Sequence, residues 1–481
     1  MDTRAAYGLI ALLSAAGTTG CATLRPAAAF SDVERLVGGR TPGSIHWNQG
    51  TPEDREVEQR IDALLANELT PEAAVQIALF NNRSLQATFA RLGIAQADLV
   101  QAGLLPNPVV HFAWRFAASG PGPSAEVNLL LDFLRALEIP LRKRVAKAAL
   151  EAAKLDVAHA VVNLAADVKV AYYTLQGAEQ MLELRQTIVR TTQYSAEIAE
   201  RQREAGAIRR LDLANEQALY EQAKLDLARA EVDVLEDREH LHTLLGLWGP
   251  QTNWALPPRL PDLPREELPA RGLESLAVSR RLDLAAARAE AQRLAQSLGL
   301  ARVEALMPTA VIGPEAEREP EGEWTVGPAI EFLIPIFDQG QTRVGTAMYE
   351  LRQSFERYRA LAVEIRSQVR RAWTRMESAR RRAEHYPKVL LPLRRAIIQE
   401  TQREYNAMLA GVYQLLQAKR DEIEAGRGYV ETLTEYWVAR AELERAVGGG
   451  DVRLASDGRA PTPVAPGPPE DGGPAHHQHE D

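Results

Sequence analysis

Few side chains in this 481-residue sequence have the types and spacings that do chemistry. His476, His477 and His479 could together hold a borderline divalent cation loosely. They follow a Pro/Gly-rich stretch at 459–474 that cannot pack, so 450–481 reads as a disordered tail. His240 and His242 stand two apart on a helical pattern and point to different faces, poor geometry for one metal. No phosphate-cradling glycine loop, HExxH, cysteine pair or nucleophile elbow occurs, so no catalytic residue can be named and no cofactor is called for. The carboxylates lie on helical patterns and read as solvated faces. With 56 basic against 65 acidic residues the net charge is −9, which argues against nucleic acid as a partner.

One thiol remains. A single cysteine, Cys21, excludes a disulfide scaffold and a cysteine-cluster zinc site. The apolar run from Ala5 to Ala16 is too short to span a bilayer and sits where a signal peptide, 1–20, has its hydrophobic region. Gly17-Thr18-Thr19-Gly20 then runs into Cys21, which resembles a bacterial lipoprotein signal, with Thr18 where leucine is usual. The thiol would carry lipid, making 21–68 a lipid-anchored segment. Past residue 20, no run of roughly 18 apolar residues suggests a membrane helix.

Ala, Leu, Glu and Arg dominate the rest, which is helix vocabulary. The chain is also duplicated. Leu85 answers Leu284, and Leu105-Pro106 answers Met307-Pro308. Ile139-Pro140 answers Ile334-Pro335, Ala205-Gly206 answers Ala410-Gly411, and Leu245-Gly246 answers Val447-Gly448. The repeats are 69–247 and 268–449, joined by a linker at 248–267. Each reads as an amphipathic helix (71–103; 273–305), a β-hairpin (107–140; 308–337) and a long helical hairpin (143–245; 342–447). The first arms of those hairpins, 143–205 and 342–409, reach ~95–100 Å. Leu211, Ala214, Ala218, Leu225, Ala228, Val232 and Leu235 form a seam on the returning helix, suited to close packing against its antiparallel partner.

The strands alternate. Val110, Phe112, Trp114 and Phe116 oppose His111, Ala113 and Arg115; Val127, Leu129, Leu131 and Phe133 oppose Glu126, Asn128 and Asp132. Trp324, Val326, Ile330, Phe332 and Ile334 oppose Thr325, Ala329 and Glu331. One apolar and one charged side is the pattern of a transmembrane barrel, with Phe112, Trp114, Phe116, Phe133, Trp324 and Phe332 facing lipid. Four strands cannot close a barrel, so other copies must supply the rest. The expected class is mainly α with a small β part, built from long helical hairpins and four barrel strands per chain.

The segments LTPEAAVQIALFNN (69–82), QAGLLPNP (101–108), the Ala-Gly breaks and ARAELERAVGG (439–449) carry a resemblance to the TolC-like outer-membrane efflux factors, over about 60–450. That resemblance implies a homotrimer with a twelve-stranded barrel in outer-membrane lipid and a periplasmic tunnel closed at its far tip. It also implies two partners, a periplasmic adaptor and an inner-membrane pump. The duct would be passive, not an enzyme. Residues 405–449 look most like the heavy-metal branch, the CzcC-like ducts, which implies cation export. An organic-solute duct is the alternative, and a periplasmic adaptor protein a more distant one. Family gates carry acidic rings at the tip. Asp212, six residues after Gly206, matches that position, while Gln417 stands six after Gly411 and Arg420 nine after it. Asp421 or Glu422 would supply the second charge, with Arg209 and Arg210 pairing to these carboxylates across hairpins.

Overall fold

A computed structural model describes residues 26–116, 122–266, 271–306, 309–319 and 321–450. Cys21, the signal segment and the tail histidines lie outside them. Two short helices, α1 (Pro26–Val37) and α2 (Pro52–Leu65), lead into the first repeat. It comprises α3 (Pro71–Asn81), α4 (Arg83–Ala102), β1 (Val109–Arg115), β2 (Ser124–Asp132), α5 (Phe133–Leu137), α6 (Ile139–Glu204) and α7 (Arg210–Leu245). The second comprises α8 (Leu273–Arg280), α9 (Leu282–Leu306), β3 (Ala310–Arg318), β4 (Trp324–Phe332) and α10 (Gln341–His385). A π turn (Tyr386–Leu390), α11 (Leu391–Asn406) and α12 (Val412–Val447) complete it.

Thr70 starts α3 by accepting from the Ala73 amide, and Pro71 takes the first-turn position where no donor is needed. The helix expected over 71–103 breaks at Asn82 (φ −60°, ψ 116°). The Asn82 side chain accepts from the Leu85 amide at 2.8 Å and donates to the Leu244 carbonyl at 2.8 Å. The second repeat breaks in the same way at Arg281 (φ −62°, ψ 122°), whose guanidinium grips Asp283 and reaches the Ala446 carbonyl. Each kink therefore holds the end of its own returning helix. Those ends are capped by left-handed glycines, Gly246 (φ 70°) and Gly448 (φ 101°). A Cβ on Gly246 would stand 2.6 Å from the Asn81 carbonyl oxygen, so the kink and the cap fit only with glycine.

The long arm α6 runs unbroken for 66 residues, ~99 Å. Its counterpart, 341–406, was expected to be equally continuous, but Pro387 lacks the donor an α-helix needs and the chain relaxes into the π turn. The structural equivalence pairs Ile139 with Gln341. Ile334-Pro335 instead lies in the loop before α10, so its match to Ile139-Pro140 is out of register.

The strands form one antiparallel sheet in the order β1-β2-β3-β4. Phe112 pairs with Val127, Val127 with Ala316, and Ala316 with Val326, so these share a face. By the same register Trp114, Leu129, Ile312, Ile330, Trp324 and Phe332 join them. The opposite face carries His111, Glu126, Asn128, Glu315, Glu317 and Glu331. Phe133 departs from expectation. Asp132 caps α5 by accepting from the Arg135 amide, and Phe133 becomes the first helical residue instead of the last of the strand.

The core lies where α3, α4 and the two hairpins meet, around Tyr172, Leu175, Leu241 and Phe89, and around Ile365, Met376, Tyr436 and Leu443. Tyr173 stacks on Trp437 at 5.1 Å between the two. The returning helix α7 turns Ala223, Ala230, Leu241 and Leu245 inward. The expected seam faces away: Leu211, Leu225, Val232 and Leu235 are exposed. The seam exists, but α6 is not its partner. In the sheet, a Cβ on Gly313 would stand 1.7 Å from the Leu129 carbonyl oxygen. We expect Gly313→Ala to raise amide exchange across β2 and β3 while the helices keep their protection; unchanged exchange in the sheet would refute this close approach.

Candidate functional site

At the far end of the hairpins the chain reverses twice. Gly206 (φ 71°) turns the first tip, and Met408 (φ 64°) turns the second. Ala207 donates to the Gln202 carbonyl at 2.8 Å, and Leu409 to the Glu404 carbonyl at 2.8 Å, so the two turns have one geometry. The tips therefore align Gly206 with Met408, not with Gly411. Gly411 aligns with Arg209, each standing just before its returning helix. Asp212 accepts from the Arg209 amide at 3.1 Å, as Gln414 accepts from the Gly411 amide at 2.9 Å. The counterpart of Asp212 is thus Gln414, and Gln417 falls one turn beyond it.

The charges at the tip are satisfied locally. The Arg209 guanidinium binds Asp212 within the same turn at 3.1 Å, not across hairpins, and with the backbone amide holds that carboxyl below its usual range. Stabilisation from Asp212 is present above its unfolded pKa and is lost as pH falls through the lower folded value. Arg210 is exposed beside it. Asp421 accepts from Gln417 at 2.8 Å and from Arg394 of α11 at 2.7 Å, inside its own hairpin. Glu422 is paired there with Lys419 at 2.5 Å.

The link between hairpins uses other residues. Glu216, 4% exposed, accepts from Ser195 Oγ at 2.5 Å and from Arg420 Nη2 at 2.6 Å, tying α6, α7 and α12 together. The Tyr413 hydroxyl is buried without a hydrogen-bond partner, and burial together with the Asp212 and Glu216 charges pushes its pKa up. Arg420 stands in the sequence only as a base where an acid is expected, and Glu216 lies outside the expected gate residues. Its one sequence signal is the spacing of four from Asp212, which puts both on one helical face.

The sheet supplies the second feature, a wall with two unlike faces. Phe112 (61% exposed), Phe116 (80%) and Phe332 (63%) stand uncovered, with Trp114 and Trp324 also exposed. On the other face Glu126 lies directly opposite Glu317, and Arg115 reaches Glu126 at 2.7 Å. Among the described residues no group of three or more His, Cys, Asp or Glu is placed to hold a metal ion. His242 is packed edge-on to Trp254 at 5.4 Å. Among the described residues no helix is long and apolar enough to cross a membrane.

Long helical hairpins joined to a four-stranded sheet with one apolar and one acidic face make the fold of the TolC-like outer-membrane channels. Residues 74–247 match the outer membrane efflux protein family. The chain is 24% identical to the cobalt-zinc-cadmium resistance protein CzcC of Cupriavidus metallidurans, over 80% of this chain and 91% of that one. It is 25% identical to the pyoverdine export outer membrane protein OpmQ of Pseudomonas putida, over 78% and 85%. The Campylobacter jejuni CmeC outer membrane channel shares the fold at a TM-score of 0.68, with 16% identity over 85% of this chain and 91% of that one. The fold is that of passive outer-membrane channels.

Removing one partner of a buried ion pair costs about 3–5 kcal/mol, because the other charge is stranded. Arg420→Met should therefore loosen the hairpins at the tip and increase proteolysis near residues 205–209, whereas Arg209→Ala, at an exposed position, should change little. Equal resistance in both variants would remove Glu216 and Arg420 from the link.

Proposed function

We propose that this chain forms the outer-membrane duct of a three-part export machine, as a homotrimer that joins a periplasmic adaptor to an inner-membrane pump. Strand counting supports the assembly. Barrels that close need about eight strands or more, and four per chain leave β1 and β4 with unpaired backbone groups that lipid cannot satisfy. Three copies bring β4 of one against β1 of the next in antiparallel order. The exposed stripe on α7 is then the seam between copies. The duct is passive, with energy supplied by the pump.

Cations of heavy metals are the cargo this reading favours. The single observation that carries it is the acidic inner face, where Glu126, Asp132, Glu315, Glu317 and Glu331 outnumber Arg115. Threefold repetition around one axis multiplies that field, and such rings draw in cations. The likeness to a cobalt-zinc-cadmium resistance protein supports the same cargo. An organic-solute duct is the second reading, favoured by the likeness to a pyoverdine exporter. The gate is placed at the tip, with Asp212, Arg209 and Arg210 on the first hairpin and Gln417 and Asp421 on the second.

Cys21 is the proposed lipid anchor. Arg40 lies against the Gly448 carbonyl, and Gly449, at the level of Val162, lies against the Arg40 backbone; eight residues earlier Asp32 binds Lys154 at 2.7 Å. Thus α1 climbs beside α6 toward the barrel. From Lys154 to Ile139 the rise is ~22 Å. Six helical residues from Asp32 to Pro26 cover ~9 Å, and the five beyond can span up to ~18 Å. A lipid on Cys21 reaches the membrane surface.

A strain lacking this gene and any related duct should become sensitive to cobalt, zinc, cadmium or copper; sensitivity confined to organic compounds would replace the metal reading with the second one. In planar bilayers, Glu126→Gln with Glu317→Gln should lower cation over anion selectivity severalfold. Unaltered reversal potentials would show that the inner face does not select.

A further inference from the structure

Where the sheet meets the helices, the outer face of the wall is hollowed. A cavity of about 560 Å³ lies between the 103–108 loop and the periplasmic ends of β2 and β3. Its walls include Leu105, Pro106, Leu129, Leu131, Ile312 and Pro314. Leu129, Leu131, Ile312 and Pro314 lie on the same sheet face as Phe112 and Trp324, so the cavity opens from the lipid-facing side. Its volume lies within the range of small-ligand pockets, about 300–1,000 Å³. Asn107 is the one polar side chain in a lining that is otherwise apolar.

A basic cluster borders this cavity on the helix side. The first turns of α6 read IPLRKRVAK, with Arg142, Lys143, Arg144 and Lys147 and no acid, in a chain of net charge −9. Lys143 lies over Gly103, close enough that a Cβ there would be 3.4 Å from its Cδ, and Gly103 is two residues from the cavity wall at Leu105. Lys143, Arg144 and Lys147 are exposed, and none appears in an ion pair among the described residues. Cations at this end of a helix oppose its dipole, so helix stability does not explain them. Around the same level Leu137 and Phe337, at the junction of wall and helices, are exposed apolar side chains.

We propose that this junction is a binding cleft for an anionic phospholipid of the inner leaflet, with an acyl chain in the cavity and the headgroup phosphate on Lys143 and its basic neighbours. The cleft rests on the outer-membrane channel reading, which places the helix end of the wall at the periplasmic surface. An apolar slot bordered by unpaired cations matches a molecule that is apolar along its length and anionic at its head. Juxtamembrane lysines and arginines attract anionic lipid surfaces in the same way, by about 1 kcal/mol each. A free phosphate would leave the cavity unfilled, so the lipid is the occupant.

The test uses the full chain as its intact oligomer in nanodiscs of phosphatidylcholine with a minor fraction of phosphatidylglycerol, and native mass spectrometry to count retained lipids. Wild type should retain phosphatidylglycerol over phosphatidylcholine, with inorganic phosphate failing to displace it. Lys143→Gln and Lys147→Gln, both at exposed positions, should each cut that preference about fivefold, the equivalent of about 1 kcal/mol. Ile312→Trp should fill the cavity and lower retention of both lipids. Equal retention of the two lipids by an intact oligomer, displacement by phosphate alone, or burial of Lys143 from amine labelling by a neighbouring copy would overturn the cleft. A chain that forms no heat-modifiable oligomer would overturn the channel reading itself, and the cleft with it.

Discussion

A sheet with two open edges cannot stand alone in a bilayer, and most of this molecule follows from that constraint. Each unpaired amide or carbonyl in hydrocarbon costs several kcal/mol, so β1 and β4 require partners of the same depth and register. The cross-strand register between β2 and β3 joins the two repeats into one wall. Duplication thus makes one continuous four-stranded piece from two hairpins. In the proposed assembly, copies of that piece, not longer strands, supply closure. The two faces differ in kind, with Phe112, Val326 and Phe332 on one and Glu126, Glu315 and Glu317 on the other.

Much of this was legible because it is periodic. Alternation along 109–115 and 324–332 placed the strands, and runs of Ala, Leu, Glu and Arg placed the long helices, since both patterns repeat over many residues. What escaped was local or long-range. Asn82 and Arg281 break helices without being glycine or proline, because their side chains find partners at Leu244 and Ala446, more than 160 residues away. Pro387 was visible in the sequence, yet a π turn absorbs it so smoothly that the hairpin keeps its length. Phe133 kept the alternation by type, but the Asp132 cap decides where the strand ends.

The tip shows how residue identity can mislead. Two Ala-Gly pairs suggested a register in which Gly411 answers Gly206. Backbone geometry chooses Met408 instead, since the left-handed residue, not the letter, defines the turn. The pairings there follow the same logic. Charges expected to meet across hairpins are paired inside their own hairpin: Asp212 with Arg209 and Glu422 with Lys419 at three-residue spacing, and Asp421 with Arg394 of the adjacent α11. The seam on α7 was legible as a pattern, but a pattern does not name its partner. Only the inward placement of Ala223 and Ala230 reveals that α6 takes the other face.

The hairpins are equal in length but not in how they are held. Near the core, Gly177 lets α6 close on α12, where a Cβ would stand 2.2 Å from Thr434 Oγ1, and the Tyr173–Trp437 stack fills the adjoining space. Toward the tip that packing gives way to polar links, and α11 buries no residue. There Glu216, Ser195 and Arg420 form a buried network that joins the hairpins, and its strength depends on every member being satisfied. Local stability follows buried contact, so the tip is the low-stability end of the molecule and the core its fixed end. The proposed duct, sealed at the tip and still able to open, would use that gradient, with rigid walls at one end and polar links at the other. The π turn at Pro387 falls between those two regimes, in the second hairpin alone.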